Sequence, residues 1–419
     1  MPSEVSPPTL GCCTVCGYSA GERLKTALSG GTLYCELHYP LFGESLKASW
    51  TNKTVRRLGD LLQRALRGET TTPLSFRGIQ WAWPLRCDGI TIRDLDFSDS
   101  TFTDLVEFTN CLFGGTLDLT RCRFHRYVNF QNSKFVGGLS AAASEIGGDV
   151  SLQGCTFNDD VHFSEIKVAG MFSTTNATFH RFASFRGATV SEYGFFNQTC
   201  FNGYVSFENA VLNRYSSFGT SSFSSVTNFN SCLFKSDTTF EDAFFNLTPT
   251  FHDAIFQRDV SFQGVTFNKL NARGDDHNLR ALRLIAESRQ SKEEERQFYS
   301  LEQKSVTRQE PLSISSAFAW LYEISSSYGT SLDRALAVFV STNMAMTLLY
   351  WALGDGRFLE ACQITLSQIF DPFGIWRENS VVASWSALGE KILRSLHSLL
   401  DFVLLVIAVI AIRWRYKKE

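Results

Sequence analysis

The sequence predicts a mainly β protein: a four-sided β-solenoid with helical caps, followed by a hairpin of two membrane-spanning helices. Three observations predict this fold. A large apolar residue recurs every eleven residues from Phe97 to Phe262, a second series follows five residues behind the first, and two long apolar stretches lie late in the chain. The composition agrees, because 37 Phe against 4 Met in 419 residues is a skew typical of a repeated motif.

The repeated unit reads V/L/T-x-F-x-x-A/C/S-x-F-x-x-x, and no insertion interrupts it. The first series consists of Phe97, Phe108, Leu119, Phe130, Ala141, Leu152, Phe163, Thr174, Phe185, Phe196, Phe207, Phe218, Phe229, Phe240, Phe251 and Phe262. The second series consists of Phe102, Phe113, Phe124, Phe135, Ile146, Phe157, Val168, Phe179, Val190, Phe201, Leu212, Phe223, Phe234, Phe245, Phe256 and Phe267.

This unit fits short strands and not a helix. Its apolar positions would point to about 0°, 200°, 140° and 340° around a helix, so they form no single face. Inward residues two apart fit a very short strand, with a corner before the next pair. Two units then close one coil, and neighbouring coils stack about 4.8 Å apart with Phe above Phe. About nine such coils are expected from Leu74 to Leu270, over roughly 40 Å.

Four stretches carry a resemblance to a known family. They are CTF (155–157), NATF (176–179), DAFF (242–245) and DAIF (253–256). This small-x-large core resembles pentapeptide-repeat proteins, in a variant that alternates steps of five and six residues. The resemblance implies a right-handed quadrilateral β-helix over 74–270. It leaves the function open, because one fold hosts unrelated activities.

The polar and reactive residues of the tube are expected to be structural. Cysteines occupy the small inward position at Cys111, Cys122, Cys155 and Cys232, where a thiol packs well. The histidines fall beside or between the inward positions and are expected on the surface; they are His125, His162, His180 and His252. The beginning of the chain has no apolar signal core, so its 11 cysteines are interpreted as reduced thiols on the cytoplasmic side.

The region before the tube predicts a structural zinc site and a cap. Cys13-x-x-Cys16 and Cys35-x-x-His38 are separated by eighteen residues, and two such knuckles are the usual ligand set of tetrahedral zinc. Cys12 could replace Cys13 as a ligand, and a redox pair or free thiols are the alternatives. We expect residues 1–45 to form this zinc-knuckle-like segment and residues 50–68 to form an N-terminal capping helix.

The region after the tube predicts helices that lead to a membrane. Residues 275–310 are expected to form a helical cap and linker, and 313–334 a membrane-proximal segment. The latter resembles the YGxSxxR-type segment that precedes membrane spans in some bacterial pentapeptide-repeat proteins. Residues 335–353 and 396–412 are long and apolar enough to span a bilayer. Between them, the loop 354–390 contains an amphipathic helix that either lies on the far surface or re-enters the membrane.

Charge around the second span predicts the orientation. Basic residues in the tail 413–419 indicate a cytoplasmic C-terminus, and two spans return the chain to its starting side. We therefore expect a multi-pass protein of the bacterial inner (plasma) membrane with both termini in the cytoplasm. Tyr350, Trp351, Trp414 and Tyr416 lie where interfacial aromatics are expected.

Two ionisable residues of the second span are candidate site residues. His397 and Asp401 are one helical turn apart, and such residues inside a bilayer often mark an ion or proton path. The structural alternatives are that both lie at the interface, or that Asp401 pairs with a polar residue of the facing span. The candidate partners are Ser341, Thr342 and Asn343.

The sequence contains no phosphate loop, Ser-His-Asp pattern or HExxH motif, so we expect a protein that is not an enzyme. The first hypothesis is a membrane-anchored scaffold or sensor whose cytoplasmic β-helix binds a protein partner. The alternative is a membrane-perturbing or channel-like effector, which would fit phage defence and leaves homo-oligomerisation open. A DNA mimic that binds gyrase is a third reading. The net charge of −3 and the interspersed arginines disfavour it, and nucleic acid is not an expected partner.

Overall fold

The structure is a computed structural model that describes residues 27–29, 32–34, 76–78, 80–81, 84–270, 274–309, 314–353, 357–370 and 387–415. The chain divides into two compact units, Met1–Ala272 and Arg273–Glu419, which are described separately. The predicted capping helix at 50–68 lies outside the described residues. A short antiparallel hairpin precedes it, formed by β1 (Ala27–Ser29) and β2 (Thr32–Tyr34).

The first unit contains a parallel β-solenoid with four faces, as predicted. The chain visits the faces in turn, and each strand pairs with the strand one coil later. The strands of the first face are Gln80–Trp81, Thr101–Phe102, Arg123–Phe124, Glu145–Ile146, Lys167–Val168, Thr189–Val190, Val211–Leu212, Leu233–Phe234 and Ile255–Phe256. Those of the second face are Leu85–Asp88, Val106–Thr109, Val128–Asn129, Val150–Ser151, Phe172–Ser173, Gly194–Phe195, Ser216–Ser217, Thr238–Thr239 and Val260–Ser261.

The other two faces complete each coil. The strands of the third face are Thr91–Ile92, Leu112–Phe113, Lys134–Phe135, Thr156–Phe157, Thr178–Phe179, Cys200–Phe201, Ser222–Phe223, Phe244–Phe245 and Thr266–Phe267. Those of the fourth face are Leu95–Asp96, Leu117–Asp118, Leu139–Ser140, Val161–His162, Ala183–Ser184, Val205–Ser206 and Thr227–Asn228. A single bridge from Asn228 to Thr250 extends the fourth face by one coil.

The register confirms that two eleven-residue units close one coil. Phe135 pairs with Phe157, which lies 22 residues later in the chain. The first coil is one residue shorter, because Trp81 pairs with Phe102. The first coil thus lacks one residue relative to the later coils, and the strand pairing is intact.

The two series of apolar residues form the core of the tube. Every residue of the first series is buried, and so is every residue of the second series up to Phe245. Phe256 and Phe267 are half-buried. Rings stack nearly flat along the axis, as in Phe113 on Phe135 with centroids 4.5 Å apart, and neighbouring ladders meet edge to face. Each such pair contributes about 0.5–1.5 kcal/mol beyond the area it buries.

A backbone feature accompanies the repeat. One residue in every eleven has a positive φ, two positions after the first-series residue, in a turn closed by a hydrogen bond such as Cys122 N to Leu119 O at 3.2 Å. These residues are Asp99, Asn110, Arg121, Asn132, Ala143, Gly154, Glu165, Asn176, Gly187, Gln198, Asn209, Thr220, Ser231, Asp242, Asp253 and Gly264. Asn, Asp and Gly dominate because they tolerate the left-handed region best.

The second unit is helical. Its described helices are α1 (Asp275–Ser288), α2 (Lys292–Gln309), α3 (Ile314–Ser326), α4 (Leu332–Leu353), α5 (Phe358–Phe370) and α6 (Ala387–Arg415). An ion pair from Arg283 to Glu302, at 2.8 Å, joins α1 to α2. Another, from Lys304 to Glu323 at 3.2 Å, joins α2 to α3. The predicted cap and linker 275–310 is thus a pair of helices.

The turn between α3 and α4 contains the residues of the YGxSxxR-like segment. Ser327, Tyr328 and Gly329 all have positive φ. The buried Tyr328 hydroxyl donates to Thr307 Oγ1 at 3.0 Å, which connects this turn to α2. A Cβ on Gly329 would lie 2.3 Å from Tyr322 Oη, so both φ and space favour glycine there.

Helices α4 and α6 form an antiparallel hairpin. The start of α4, at Ala335, packs on the end of α6 at Ala408 and Ala411. The end of α4, at Tyr350, packs near Leu393 at the beginning of α6. Two described segments are long and apolar enough to cross a membrane, namely Leu332–Leu353 and Ile392–Arg413. The first begins three residues before the predicted span 335–353. The second begins four residues before the predicted span 396–412 and ends one residue after it.

The short helix α5 lies against this hairpin. Ala361 and Ile364 of α5 are buried together with Tyr350 of α4. The chain leaves α4 at Leu353 and begins α5 at Phe358, so α5 runs back along the helix that precedes it.

Candidate functional site

The predicted zinc ligands lie outside the described residues, and the site therefore stays a prediction. They are Cys13, Cys16, Cys35 and His38, with Cys12 as the alternative ligand. Within the part of the chain that the structure describes, no group of three or more His, Cys, Asp or Glu side chains could hold a metal ion.

The other predicted pair, His397 and Asp401, lies in the interior of the helical hairpin. Both side chains are 0% exposed, and His397 Nε2 lies 3.2 Å from Asp401 Oδ2. The two atoms are in contact but are not aligned for a hydrogen bond. Neither side chain reaches the surface of the helical unit.

Asn343 of α4 is the partner of Asp401 across the hairpin. Its amide nitrogen donates to Asp401 Oδ1 at 2.9 Å and to Phe339 O at 3.0 Å. Of the three partners that the sequence offered, the structure selects this one. Asn343 and Asp401 lie close to the midpoints of Leu332–Leu353 and Ile392–Arg413. The contact is thus as far from the ends of both helices as it can be.

Tyr350 is the second cross-hairpin contact. Its hydroxyl lies 3.2 Å from His397 Nδ1. With Tyr350 as donor, neutral His397 carries its proton on Nε2, on the side of Asp401. Tyr350 is only 4% exposed, so its side chain is packed within the helical unit.

Helix α5 adds polar groups to the same interior. Thr347 of α4 donates to Thr365 Oγ1 at 2.9 Å, and Thr365 donates to Ala361 O at 3.2 Å. Gln368 is 5% exposed and lies one turn after Thr365. We name the set Asn343, Thr347, Tyr350, Thr365, Gln368, His397 and Asp401 the polar cluster.

Four atoms of the polar cluster have no hydrogen-bond partner among the described residues. They are Asn343 Oδ1, Gln368 Oε1, His397 Nε2 and Asp401 Oδ2. A buried polar atom without a partner costs about 1–3 kcal/mol, and buried charge costs more. Stability alone does not account for such a set, which makes the cluster the candidate functional site.

The outer surface of the solenoid is the second candidate, as an interaction surface. Five arginines of the solenoid each face an acidic residue one coil, or 22 residues, away. The pairs are Arg121 with Asp99, Arg123 with Glu145, Arg126 with Asp104, Arg181 with Asp159 and Arg186 with Glu208. The hydrogen bond from Arg121 holds the pKa of Asp99 below its usual value. The four predicted surface histidines are all exposed.

Comparison with known families adds one finding. A family model described as pentapeptide repeats (9 copies) matches residues 88–134 and 119–167. The solenoid contains pentapeptide repeats. Searches of curated proteins and of solved structures gave no significant match. The strand register continues unchanged beyond residue 167, so coils of the same geometry extend past the matched segment to Phe267.

The small inward position of the pentapeptide repeats has a polar role that the sequence reading missed. Ser133 Oγ donates to Phe108 O at 2.6 Å, and Cys155 Sγ donates to Phe130 O at 2.9 Å, each 25 residues earlier. The hydroxyl or thiol therefore bonds a main-chain carbonyl of the previous coil. Ser and Thr occur at this position along with Ala and Cys, and their presence could have indicated the hydrogen bond from the sequence. Burial also raises the pKa of Cys122 and Cys155 to about 12.

Sequence reasoning found part of the polar cluster. It named His397, Asp401 and the α4 residue Asn343. It missed Thr347, Thr365 and Gln368, because a hydroxyl or amide in an apolar helix gives no sign of which helix it faces. The spacing of Asn343, Thr347 and Tyr350, at four and then three residues, was a usable signal for one polar stripe on α4.

Proposed function

We propose that this is a membrane-anchored, non-enzymatic pentapeptide-repeat protein whose β-helix serves as an interaction scaffold or sensor. The observation that carries the proposal is the exposed apolar surface of α4 and α6. Leu336, Val340, Met344 and Leu348 lie along one stripe of α4 and are 47–63% exposed. On α6 the exposed apolar residues include Leu396, Leu399, Phe402, Leu405 and Val409. A core helix of a soluble domain would bury such a stripe, whereas a bilayer covers it.

The scaffold part of the proposal rests on how the repeat uses its residues. Packing of the tube fixes the inward positions, so the outward positions are free to vary along flat faces. Those faces contain exposed charged and aromatic side chains, among them Tyr193 and Tyr215. The family resemblance adds that such solenoids act as interaction surfaces. The unidentified partner is a cytoplasmic protein.

Orientation follows from the basic tail. Arg413 ends the second candidate span, and Arg415, Lys417 and Lys418 follow it. By the positive-inside rule this end lies in the cytoplasm of a bacterial cell, and the two spans bring the N-terminal unit to the same side. We propose the inner membrane as the location.

Expression of the full chain and of a truncation ending at Arg308 tests the anchor and the scaffold together. The full chain is expected in the membrane fraction after alkaline extraction, and the truncation in the soluble fraction. Cross-linking is expected to recover the same partner with both chains, and Tyr193→Ser with Tyr215→Ser to weaken the capture. Extraction of the full chain by alkali would refute the anchor. A partner set unchanged by outward substitutions would refute the scaffold.

A second candidate function is a membrane effector, which a phage-defence role would fit. The buried polar cluster favours it, because ionisable residues at the centre of a span commonly serve an ion or proton path. Overproduction of the full chain is expected to lower membrane potential, and Asp401→Asn to abolish that effect. The matched control is Ser341→Ala, an exposed residue of α4. Unchanged membrane potential with the parent chain would refute this function.

DNA mimicry is the least supported reading. A mimic needs a row of uncompensated carboxylates, whereas five acidic residues of the solenoid each face an arginine across one coil. Gyrase supercoiling in the presence of the full chain is expected to remain unchanged.

The N-terminal ligand set supports a further proposal, a structural zinc ion held by Cys13, Cys16, Cys35 and His38. Four protein ligands close the coordination shell, so the ion would stabilise a small fold. The purified full chain is expected to contain about one zinc per chain. Cys16→Ser is expected to remove it and Cys200→Ser, in the solenoid, to retain it. A metal-free parent chain purified without chelator would contradict the proposal.

A further inference from the structure

The polar cluster contains three oxygens and one nitrogen that its own hydrogen bonds leave unused. The side chains of Asn343, Gln368, His397 and Asp401 are 7%, 5%, 1% and 0% exposed. The assignment at Asn343 is firm, because its nitrogen already faces two acceptors, Asp401 Oδ1 and Phe339 O. Asn343 Oδ1 is therefore the atom without a partner within the described chain. Buried unpaired groups of this kind indicate a water, an ion or a functional role.

These groups come from three helices and lie at one level of the hairpin. Asn343 touches Asp401 directly. Thr347 touches Thr365, and α5 runs opposite to α4. Asn343 lies four residues before Thr347 on α4, and Gln368 lies three residues after Thr365 on α5. Both separations cover about 5 Å in the same direction, so Gln368 and Asn343 lie at the same height.

The charge of the site selects its ligand. When ionised, Asp401 contributes one negative charge, and His397 beside it is neutral when Tyr350 donates to Nδ1. The nearest cation on the same helix, Arg394, lies seven residues away, or about 10 Å along the axis. On α5 the charged pair Arg357 and Glu360 lies at the exposed beginning of the helix.

A single positive charge would therefore neutralise the site, while a divalent ion would leave an excess charge in a low-dielectric interior. Carboxylate and amide oxygens are the ligands that hard cations take. Among the described side chains, no three His, Cys, Asp or Glu residues are grouped so that they could hold a metal ion, which also disfavours a transition-metal site.

We propose that the polar cluster binds one monovalent metal cation, Na⁺ or K⁺, through Asp401 Oδ2 and the amide oxygens of Asn343 and Gln368. Bound there, the cation would connect α4, α5 and α6 at the centre of the hairpin. The inference concerns the same site as the second candidate function, but it requires binding only and no ion flux.

The test is direct ion binding to the full chain in detergent, with choline chloride as the background salt at pH 8. The probes are ²²Na⁺ and ⁸⁶Rb⁺, the latter standing for K⁺. We expect saturable binding of one of them at about one ion per chain. Asp401→Asn and Gln368→Leu are each expected to weaken it at least about tenfold. Ser341→Ala is the matched control and is expected to bind as the parent does.

A gain-of-charge variant separates coordination from mere packing. Gln368→Glu adds a second carboxylate and leaves the hydrogen bond from Asn343 to Asp401 in place. We expect it to shift the preference from the monovalent probes to ⁴⁵Ca²⁺, because the site charge changes from −1 to about −2. A structural role for Gln368 predicts no such exchange of ions.

Several outcomes would overturn the inference. One is a folded parent chain that binds neither ²²Na⁺ nor ⁸⁶Rb⁺, as expected when Asp401 holds a proton. Another is binding that Asp401→Asn and Gln368→Leu both leave unchanged. If Asp401→Asn does not elute as a monodisperse species, Gln368→Leu decides alone. Binding without any ion flux into liposomes would refute the second candidate function and support the cation site.

Discussion

At the scale of single residues, the residue at each positive-φ turn position determines how much backbone strain the turn contains. Thr220 and Asn209 occupy equivalent positions in successive units, with φ of 54° and 57°, and both are exposed. A β-branched residue is strained in this region, whereas Asn tolerates it. We expect Thr220→Asn to raise the free energy of unfolding by about 1 kcal/mol. Denaturant-induced unfolding, followed by a spectroscopic signal of the solenoid, measures this change in the free energy of unfolding.

The reciprocal variant is the control for that prediction. Asn209→Thr is expected to lower the free energy of unfolding by a similar amount, because it introduces the strain that Thr220→Asn removes. If both substitutions change stability in the same direction, the backbone explanation fails and the lost side-chain contacts would have to account for the result.

The buried thiols give a second prediction at this scale. The solenoid buries Cys122 and Cys155, which raises the pKa of each thiol to about 12, and it half-buries Cys200. Because the thiolate is the reactive form, we expect N-ethylmaleimide at pH 7.5 to modify Cys122 and Cys155 at least about a hundredfold more slowly than Cys200. Peptide mass spectrometry after timed labelling measures the rates. Equal rates in the folded protein would contradict the burial, and unfolding in guanidinium should equalise them.

At the scale of elements, the turn from α3 to α4 depends on a glycine. Gly329 has φ of 80°, and a Cβ there would lie 2.3 Å from Tyr322 Oη and 3.0 Å from Ile410 Cγ2. We expect Gly329→Ala to destabilise the turn by about 2 kcal/mol, from backbone strain together with displacement of Tyr322. Hydrogen exchange at the beginning of α4 is expected to become faster.

Gly274 provides the matched comparison. It also has a positive φ, 95°, but a Cβ there would meet nothing within 4 Å. Gly274→Ala therefore tests backbone strain alone and is expected to cost about half as much as Gly329→Ala. Equal effects would show that the contact with Tyr322 contributes nothing.

Elements also show what the sequence could and could not predict. The inward positions of the solenoid were readable because each must be apolar to fill the tube, and even Thr174 and Ala141 kept their place in the series. The positive-φ positions could not be predicted from the sequence. Arg121, Ala143 and Thr220 occupy some of them, so the preference for Asn, Asp and Gly is incomplete. In the hairpin, the pairing of Asp401 with Asn343 was one of three alternatives. The choice required the relative rotation of α4 and α6, which packing sets.

At the scale of the whole molecule, the solenoid is a one-dimensional stack, so each coil depends mainly on its neighbours. Phe207 lies in the middle of the stack. Its ring contacts Phe185 and Phe229 along the axis, with centroids 4.7 Å and 5.1 Å away, and Phe196 and Phe218 edge to face. Phe267 belongs to the last coil, is half-buried and stacks on Phe245 at 5.8 Å.

We therefore expect the cost of removing a ring to depend on its position along the stack. Phe207→Ala should lower the free energy of unfolding by about 3–5 kcal/mol, because it leaves a cavity between two coils. Phe267→Ala should cost clearly less, since its ring is already partly in water. Hydrogen exchange resolved by coil would show faster exchange on both sides of Phe207 and little change at the first coil. A uniform loss of protection from Trp81 to Phe267 would mean that the coils unfold as one cooperative block, against the nearest-neighbour behaviour expected for a stack of repeats.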